Sequence, residues 1–510
     1  MTNGVGSWIV KHCNRFADKT AIVYKEKQFT YEQLNVRVNR LAHALLDIGV
    51  RKGDRVDALL FNTNEMLEAM FACAKIGAIY VPINFRLSVD EVEYIVRDSS
   101  PHHFIYDERM KPLVDQLRER MTFISDWIHV GQHPHKRDLQ YDQLLAGSKD
   151  EEPGFDIGLD DVHMMMYTSG TTGNPKGAMI SHGNTLWNAI NSIHFRSIDA
   201  EDTTLAVAPM FHIGAMGVSA TPLLYKGGTV VLEDQFDPRA VLELVQTEKL
   251  SSLFMVPAMW MAMTQVPNFD DYDLSSIKYN ISGGAPCPIT VIEFFQQRNI
   301  PFYEGFGLTE TAPSVSLLDP ENSFRKNGSI GKPLFHVEVK IIDHHGRQVP
   351  TGEVGELLIK GPNVFVGYWN QPEKTKEALQ NGWFHSGDLA TFDDEGFLYI
   401  VDRKKDMVIS GGENVYPIEV EQVLFRHPNI KEAGVVGVPD EKWGETPKAF
   451  VVLEDKNQTL TLEDIESFCE GKLARFKIPK VIEIIEELPR NATGKVLKMA
   501  LRKGEKGQVK

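Results

Sequence analysis

The first hundred residues carry apolar positions whose spacing alternates between that of a helix and that of a strand. Thr30, which can cap a helix, precedes an amphipathic stretch that continues to Leu46. An apolar run at 56–60 predicts a strand, the stretch at 65–75 predicts a helix, and the run at 79–82 predicts another strand. This order is typical of parallel strands that are joined by helices.

The same alternation returns between residues 200 and 310. Short apolar runs at 204–208 and 252–256 end at prolines, Pro209 and Pro257 respectively. Ligands of α/β sheets bind beyond the carboxyl ends of the strands. We therefore expect these two strand ends to form edges of a binding site.

The pattern changes after residue 330. Between about 330 and 400, apolar and polar residues alternate between turns, which predicts a small antiparallel β-barrel. Beyond the charged segment 402–406 the pattern indicates a compact α+β unit. We predict an α/β protein in which a large N-terminal domain of α/β subdomains includes this barrel (1–401), followed by a hinge (402–406) and a smaller α+β C-terminal domain (407–510).

Composition and charge restrict the class of protein. The 510 residues include 54 basic and 70 acidic side chains, and the formal charge of −16 disfavours nucleic acid as a partner. The four cysteines lie far apart, without the spacing of a zinc site or a disulfide framework. No apolar run reaches about 18 residues, so we expect no transmembrane segment. The apolar stretch near the N-terminus is too short for a secretory signal, so we expect a cytoplasmic protein. The sequence leaves open whether the protein forms a homodimer.

The segment 168–177 is a candidate phosphate-binding loop. It holds four hydroxyl side chains, three glycines and one lysine. Glycines let backbone N–H groups converge, hydroxyls add donors, and Lys176 supplies a cation for phosphate oxygens. A solvated polar turn is the structural alternative. A Walker-type loop is disfavoured, because Pro175 precedes the lysine and Gly177, which has no hydroxyl for Mg²⁺, follows it.

Residues 167–177 resemble the signature loop of the adenylate-forming superfamily, which contains acyl-CoA synthetases, amino-acid adenylation domains and beetle luciferases. Further signatures of this family follow in its order along nearly the whole chain. The resemblance implies that ATP is bound by residues of this loop and that one of them, Thr168, is also a ligand of Mg²⁺. The loop residues implied are Thr168, Ser169, Gly170, Thr171, Thr172 and Lys176.

Two more segments resemble the parts of the family that contact adenine and the α-phosphate. In the segment 303–310, the resemblance implies that Phe306 stacks on adenine and that Thr309 contacts the α-phosphate. It also implies that Glu310 binds Mg²⁺, a hard cation that prefers oxygen ligands. The segment 282–285 resembles the backbone that lies along adenine, with an ordinary tight turn as the alternative. The implied nucleotide contacts of the two segments are Gly283, Gly284, Ala285, Glu304, Gly305, Phe306 and Gly307.

The segment 383–388 resembles the ribose-binding motif, which implies that Asp388 accepts hydrogen bonds from ribose hydroxyls, with Arg403 as its partner. His212 stands where the family has an aromatic residue or a histidine at the mouth of the acyl pocket, although a buried core histidine is the alternative. No acid that could hold a substrate ammonium follows His212, so an uncharged acid tail is expected. The expected pocket comprises His212, Gly214, Ala215, Gly217 and Trp260.

The C-terminal unit carries the remaining resemblance. Lys495 matches the catalytic lysine of the family, which neutralises charge at the α-phosphate, with a solvated surface lysine as the alternative. Family members rotate a mobile C-terminal domain between two half-reactions, and Lys405 matches the hinge position. Gly411 and Gly412 match the segment that borders the pantetheine tunnel in the second arrangement. The expected catalytic residues are His212, Thr309, Glu310 and Lys495.

The resemblance implies an ATP-dependent acid:CoA ligase that uses ATP, Mg²⁺ and coenzyme A, and that forms an acyl-AMP before the thioester. A medium- or long-chain fatty acid is the favoured substrate, because the expected pocket is uncharged. An aryl acid such as a coumarate or a benzoate stays open, as does a carrier-bound thiol in place of CoA. A luciferase-like oxygenase and a degenerate nucleotide-binding protein are the alternatives from other classes. The second is disfavoured by the joint presence of Lys176, Glu310, Asp388 and Lys495.

Overall fold

A computed structural model describes residues 4–168, 174–285, 287–319, 321–455, 458–490 and 496–504. The first part of the chain contains the following helices and strands: α1 (Ser7–Phe16), β1 (Thr20–Tyr24), β2 (Lys27–Thr30), α2 (Tyr31–Asp47), β3 (Arg55–Leu59), α3 (Asn64–Ile76), β4 (Ile79–Pro82), α4 (Val89–Ser99), β5 (His103–Asp107), α5 (Lys111–Arg120), β6 (Asp126–Val130), β7 (Leu139–Gln140), α6 (Tyr141–Gly147), β8 (Val162–Thr168), β9 (Lys176–Ser181) and α7 (His182–Arg196).

The middle of the chain continues with β10 (Thr203–Ala206), α8 (Thr221–Lys226), β11 (Thr229–Leu232), α9 (Pro238–Thr247), β12 (Ser252–Met255), α10 (Pro257–Thr264), β13 (Tyr279–Ser282), α11 (Ile289–Gln296), β14 (Phe302–Gly307), β15 (Ser314–Leu317), β16 (Lys332–Pro333), β17 (Glu338–Ile342), β18 (Gly355–Lys360), β19 (Gly367–Tyr368), α12 (Pro372–Ala378), β20 (Leu379–Gln380), β21 (Trp383–Phe392) and β22 (Leu398–Arg403). The last part contains β23 (Val408–Ser410), β24 (Glu413–Val415), α13 (Pro417–Leu424), β25 (Ile430–Asp440), β26 (Gly444–Leu453), α14 (Leu462–Cys469), β27 (Val481–Ile484) and α15 (Lys498–Lys503).

Several helices begin where their sequences supply a side-chain cap. The Thr30 hydroxyl accepts a hydrogen bond from the backbone N–H of Gln33, and the Gln33 side chain accepts one from the backbone N–H of Thr30. Ser88 and Glu91 form the same reciprocal pair at the start of α4. Each pair satisfies two backbone donors that a helix leaves unpaired at its start. The prediction that Thr30 caps a helix is confirmed.

Two large sheets form the greater part of the described chain. In the first sheet, nine strands lie in the order β16-β15-β14-β13-β12-β10-β11-β1-β2, and its central strands are parallel. In the second sheet, eight strands lie in the order β19-β9-β8-β4-β3-β5-β6-β7. Helices connect the parallel strands, so the predicted alternation of strands and helices is confirmed.

Two smaller sheets follow. Strands β17, β18, β21, β20 and β22 pair antiparallel, which agrees with the alternating pattern between residues 330 and 400. In the last part of the chain, β24, β23, β26, β25 and β27 form a five-stranded sheet. This sheet buries its own apolar cluster, which includes Val435, Val451 and Ile465. The smaller α+β unit therefore has a hydrophobic core of its own.

Cys13, Cys73, Cys287 and Cys469 all carry free thiols. Within the ranges described above, none of the helices has the length and apolar character needed to span a bilayer.

Candidate active site

Four neighbouring parallel strands of the first sheet bring the predicted loops to one edge. In the register of the sheet, Met255 at the end of β12 pairs with Ser282 at the end of β13, and Ser282 pairs with Glu304 of β14. Strand β10 lies on the other side of β12. Because these strands run in the same direction, the segments that follow them meet beyond their carboxyl ends. The sequence prediction of a site at this edge agrees with the register.

The segment that follows β13 has room for backbone but little room for side chains. A Cβ atom added to Gly283 would lie 2.9 Å from Cε2 of Phe254, and Gly284 has a φ of +86°. That φ favours glycine, and Ala285 follows directly. A flat ligand such as adenine can approach this backbone closely. The adenine contact at Gly283 and Gly284 stays a prediction.

Glu304 lies in β14 beside the predicted adenine segment, and it is buried. The backbone N–H of Cys287 donates a hydrogen bond of 2.8 Å to its Oε1. Burial raises the pKa of Glu304 to about 7. The carboxyl group is therefore largely protonated below neutral pH, which is rare for a glutamate. Gly305, Phe306 and Gly307 continue the same strand, and the Phe306 side chain is partly exposed.

Tyr368 contacts both Glu310, the predicted magnesium ligand, and Lys176, the predicted cation for the phosphates. Glu310 lies in a short 3₁₀ turn, Thr309–Thr311, directly after β14. The hydroxyl of Tyr368 donates a hydrogen bond of 2.8 Å to Oε1 of Glu310. The ammonium of Lys176, at the start of β9, lies 4.1 Å from the centre of the Tyr368 ring. Burial lowers the pKa of Lys176, and the Glu310 carboxylate partly offsets that effect.

Strand pairing explains how these distant residues meet. Strand β19 pairs antiparallel with β9, so that Tyr368 lies opposite Ala178. The backbone N–H of Phe365 donates to the carbonyl oxygen of Glu310 at 2.9 Å. The segment before β19 therefore joins the phosphate hairpin to the turn that carries Glu310. Tyr368 is absent from the predicted site, because nothing in the pattern of its own segment indicates this pairing.

The phosphate loop connects two antiparallel strands, β8 and β9. Thr168 at the end of β8 pairs in register with Lys176 at the start of β9. The predicted contacts at Ser169, Gly170, Thr171 and Thr172 lie outside the described residues, and so does Lys495. The roles proposed for these five residues stay predictions.

The predicted ribose pair lies together in the third sheet. Asp388 of β21 pairs in register with Arg403 of β22, and Nε of Arg403 lies 3.3 Å from Oδ1 of Asp388. Asp388 is buried, with 3% of its surface exposed. Its backbone N–H donates to the Ser386 hydroxyl at 3.1 Å. A buried carboxylate that is oriented by a guanidinium can accept hydrogen bonds from two adjacent hydroxyls.

The predicted acyl pocket is only partly brought together. His212, Gly214 and Ala215 follow β10, and a Cβ atom on Gly214 would lie 2.9 Å from Cζ of Phe254. Gly217, in the π-helical turn Ala215–Ala220, packs against Pro313. Phe254, which the sequence analysis did not select, therefore lies against both Gly214 and Gly283.

Trp260 does not join this group. It is fully buried between Phe295 and Phe302, with ring centroids 5.2 and 4.9 Å away, and its indole N–H donates to the carbonyl oxygen of Met255. These contacts belong to an apolar cluster that is separate from the one containing Phe254. Trp260 therefore packs in the core beside β12 and not with Gly214 and Gly217.

The C-terminal candidates lie around an exposed turn and the proposed hinge. Gly411 and Gly412 connect β23 to β24. The backbone N–H of Gly411 donates to the carbonyl oxygen of Trp443 at 2.8 Å, and a Cβ atom on Gly411 would lie 2.7 Å from Cε3 of that indole. In the hinge segment, Asp406 pairs with Arg502 at 3.2 Å.

A partly buried ion pair lies near the proposed hinge. The ammonium of Lys498 lies 3.0 Å from Oε1 of Glu421. Burial lowers the pKa of Lys498, but Glu421 and Asp402 more than offset this effect, so the pKa is raised. Burial raises the pKa of Asp402 to about 6. These charges lie where the two units of the chain meet.

The arrangement fits a magnesium nucleotide. Glycine backbone borders the place for a flat base, and Asp388 supplies a buried acceptor for ribose hydroxyls. Glu310 and Lys176 supply an anion for a hard cation and a cation for phosphate oxygens. When bound, Mg²⁺ neutralises part of the charge on the phosphate oxygens. A cavity of about 460 Å³ that is bordered by Arg239, Gln265 and Lys431 contains none of these residues and is a separate feature.

The fold and the residues gathered at this edge indicate an enzyme that binds a magnesium nucleotide. Residues 9–369 match the model of the AMP-binding enzyme family, and residues 419–495 match the model of the C-terminal domain of AMP-binding enzymes. The chain therefore belongs to the AMP-binding enzyme family.

Named relatives of the chain are acid–CoA ligases. A feruloyl-CoA synthase from Amycolatopsis sp is 41% identical over 500 residues, which cover 98% of this chain and 99% of the relative. The long-chain-fatty-acid–CoA ligase FadD13 from Mycobacterium tuberculosis is 39% identical over 483 residues, 93% of each chain. The crystal structure of the anthranilate CoA ligase AuaEII in complex with anthranoyl-AMP superposes with a TM-score of 0.93 at 28% identity, covering 99% of this chain and 97% of that one.

These comparisons confirm the predicted family, the fold class and the class of enzyme. The chain is an AMP-forming acyl-CoA ligase that uses ATP, Mg²⁺ and coenzyme A. The similar ligases include enzymes for aryl acids and for fatty acids, so similarity alone does not select the acid.

Proposed function

We propose that the chain activates an aryl or arylalkenyl carboxylic acid as its adenylate and transfers the acyl group to the thiol of coenzyme A. The observation that carries this proposal is the close contact of one phenylalanine, Phe254, with two glycine backbones. Relatives that act on such acids, among them the feruloyl-CoA synthase, agree with it.

We propose that a planar acyl group binds beside Phe254. The residue is 7% exposed, and both Gly214 and Gly283 approach its ring so closely that neither could carry a Cβ atom without a shift. Glycine backbone and an aromatic ring form flat, apolar walls. An aromatic ring gains offset or edge-to-face contacts against such walls, whereas a long alkyl chain needs an extended tunnel.

His212 follows β10, two residues before Gly214, whose backbone contacts the Phe254 ring. Its Nδ1 accepts a hydrogen bond of 3.2 Å from the backbone N–H of Gly214. In the neutral ring this bond leaves the proton on Nε2. We infer that Nε2–H donates to the carboxylate of the acid and orients one of its oxygens towards the α-phosphate.

In the first half-reaction, an oxygen of the carboxylate attacks the α-phosphorus of ATP, and the bond to the β-phosphate bridging oxygen breaks. The products are the acyl-AMP mixed anhydride and pyrophosphate. Thr309 and Lys495 contact the α-phosphate, and Lys176 stabilises the leaving phosphates. Positioning and charge neutralisation are the main contributions that a protein makes to this type of transfer.

In the second half-reaction, the thiol of coenzyme A attacks the carbonyl carbon, AMP leaves, and the thiol proton passes to solvent. Lys495 and the thiol need access to the same region, so we propose that the C-terminal domain, 407–510, rotates about Lys405 within the hinge 402–406. The rotation brings the turn at Gly411 and Gly412 to the entry path of the pantetheine arm.

A medium- or long-chain fatty acid is the second candidate substrate. The uncharged walls around Phe254 and the similarity to FadD13 favour it. The two candidates differ in what they require of Phe254, because an alkyl chain gains little from a ring-to-ring contact.

The acid panel contains ferulate, p-coumarate, benzoate, octanoate and palmitate, each assayed for pyrophosphate release and then for thioester with coenzyme A. We expect kcat/KM for ferulate or p-coumarate to exceed that for palmitate by at least about tenfold, equivalent to about 1.4 kcal/mol. Phe254→Leu should narrow this preference. Phe295→Leu, the same change in the core beside Trp260, is the matched control and should leave the preference unchanged. A preference for palmitate would refute the aryl assignment.

A further inference from the structure

Tyr368 is fixed in place by several contacts that do not depend on a ligand. The residue is 6% exposed, and its backbone N–H donates to the Thr375 hydroxyl at 2.9 Å. Its ring packs edge-to-face on Phe365, with centroids 4.8 Å apart, and it lies opposite Ala178 in β9. The position of its hydroxyl is therefore set by the fold, since a buried aromatic ring has few alternative rotamers.

The hydroxyl of Tyr368 acts on the carboxylate of Glu310. The distance between the two oxygens is 2.8 Å. A carboxylate oxygen only accepts, so the O–H of Tyr368 donates the hydrogen bond to Oε1. The direction in which Oε2 can bind a cation is then fixed as well, because both oxygens belong to one planar group.

The ring of the same tyrosine holds Lys176. The ammonium lies 4.1 Å from the ring centroid, a distance at which a cation is attracted to the face of an aromatic ring. Lys176 and Glu310 carry opposite charges, yet within the described part of the chain they form no direct ion pair, because each contacts Tyr368 instead. A direct pair would occupy both groups that the phosphates and the metal need.

We infer that Tyr368 is a positioning residue that orients Glu310 for Mg²⁺ and keeps Lys176 available for the phosphates in the absence of nucleotide. This inference rests on the nucleotide site and not on the identity of the acid. It separates two contributions of one side chain: the hydroxyl acts on the metal ligand and the ring acts on the lysine.

Two variants separate these contributions. Tyr368→Phe keeps the ring and removes the hydroxyl, and Tyr368→Leu removes both. Binding is measured without any acid substrate. Electron paramagnetic resonance of Mn²⁺ gives the metal affinity in the nucleotide complex, and calorimetry with a non-hydrolysable ATP analogue in the absence of divalent cations gives the affinity for the metal-free nucleotide. Failure of the substrate proposal therefore leaves this test intact. Tyr141→Phe is the matched control, because it removes a tyrosine hydroxyl that donates to a glutamate, Glu68, at 2.7 Å elsewhere in the fold.

For Tyr368→Phe we expect about a tenfold weaker metal affinity in the nucleotide complex, the scale of effect seen when a residue that orients a metal ligand is removed. The affinity for the metal-free nucleotide should stay within about twofold of wild type. Tyr368→Leu should weaken both affinities, because Lys176 becomes free to pair with Glu310. The Tyr141→Phe control should change neither.

The inference is overturned if Tyr368→Phe binds Mn²⁺ with wild-type affinity in the nucleotide complex. It is also overturned if the two Tyr368 variants weaken nucleotide and metal equally, because a purely structural role of the side chain predicts that result. Melting temperatures of all three variants report on folding in the same preparations, so a loss of stability is distinguished from a loss of metal affinity.

Discussion

The buried glutamate of β14 gives a prediction about pH and stability. Glu304 is buried beside the segment that follows β13, and burial raises its pKa from an ordinary 4.5 to about 7. The backbone N–H of Cys287 stabilises the charged form only in part. Glu304→Gln keeps an acceptor oxygen for this N–H and removes the titration.

The sign of the effect follows from the direction of the pKa change. The folded state binds the proton more tightly than the unfolded chain, so the contribution to stability is fully present below pH 4.5. That contribution is lost as the pH rises through the folded pKa of about 7. The difference between the two pKa values corresponds to about 3 kcal/mol. We therefore expect Glu304→Gln to gain stability relative to wild type by up to about 3 kcal/mol between pH 5 and pH 8.5.

The assay compares urea unfolding of the two proteins at several pH values, with the difference between their midpoints as the measured quantity. Glu293→Gln, on the neighbouring helix α11, is the control for the substitution itself, because Glu293 is exposed. Infrared difference spectra between wild type and Glu304→Gln report the protonated carboxyl directly. Parallel pH profiles for wild type and Glu304→Gln, or a carboxyl that ionises near pH 4.5, would refute the reasoning.

Three further predictions concern the two half-reactions and the hinge. Gly411→Leu should lower the rate of thioester formation at least about a hundredfold, or about 2.7 kcal/mol, because the new leucine side chain meets Trp443. The same variant should leave the rate of pyrophosphate release within about threefold of wild type. Gly396→Ala controls for backbone strain, since Gly396 is a turn glycine with a similar φ and open space around it. Asp388→Asn should raise KM for ATP about tenfold or more, because hydrogen bonds to charged groups contribute about 1.5–3 kcal/mol. KM for the acid should stay unchanged. An equal rise in both KM values would contradict a ribose contact. Lys498→Met leaves the partly buried carboxylate of Glu421 and the buried carboxylate of Asp402 without their cation. It should destabilise the C-terminal unit by about 3 kcal/mol in urea titrations. An unchanged midpoint would show that the pair is not needed.

Much of the fold could be predicted from the sequence because local patterns determine it. Thr30 has the side chain that begins a helix, and the strand ends before Pro209 and Pro257 lie at one edge of a parallel sheet. Glu310, Asp388 and their neighbours were found because their types and order match a known signature. Each of these inferences needed only a short stretch of chain.

The rest depends on pairing between distant segments. Tyr368 enters the site because β19 pairs with β9, and Phe254 enters it because two glycines approach its ring. Neither residue stands in a segment whose own composition indicates chemistry. Trp260 was predicted to line the pocket but packs in the core. An apolar stretch beside a strand end is equally consistent with a pocket wall and with a core, so the sequence could not distinguish the two. The Trp260 indole N–H bonds backbone carbonyls inside the core.

The proposed hinge has contacts of two kinds, and they respond differently to a rotation about Lys405. Asp406 lies after the hinge residue, and its ion pair with Arg502 of α15 joins two parts of the same C-terminal unit. Both residues lie after Lys405, so a rotation about Lys405 can move this ion pair together with the C-terminal unit without breaking it.

Asp402 lies before Lys405, so its contacts with the C-terminal unit cross the hinge. Its Oδ2 accepts a hydrogen bond of 3.1 Å from the backbone N–H of Ile418. Asp402 also interacts electrostatically with the ammonium of Lys498. A rotation about Lys405 must break this hydrogen bond and separate the two charges. Asp402 is buried and Lys498 is partly buried, and a charge that loses its partner in such surroundings is costly. The second arrangement therefore requires water or new partners at Asp402, and the balance between the two arrangements depends on how well those partners replace Ile418 and Lys498.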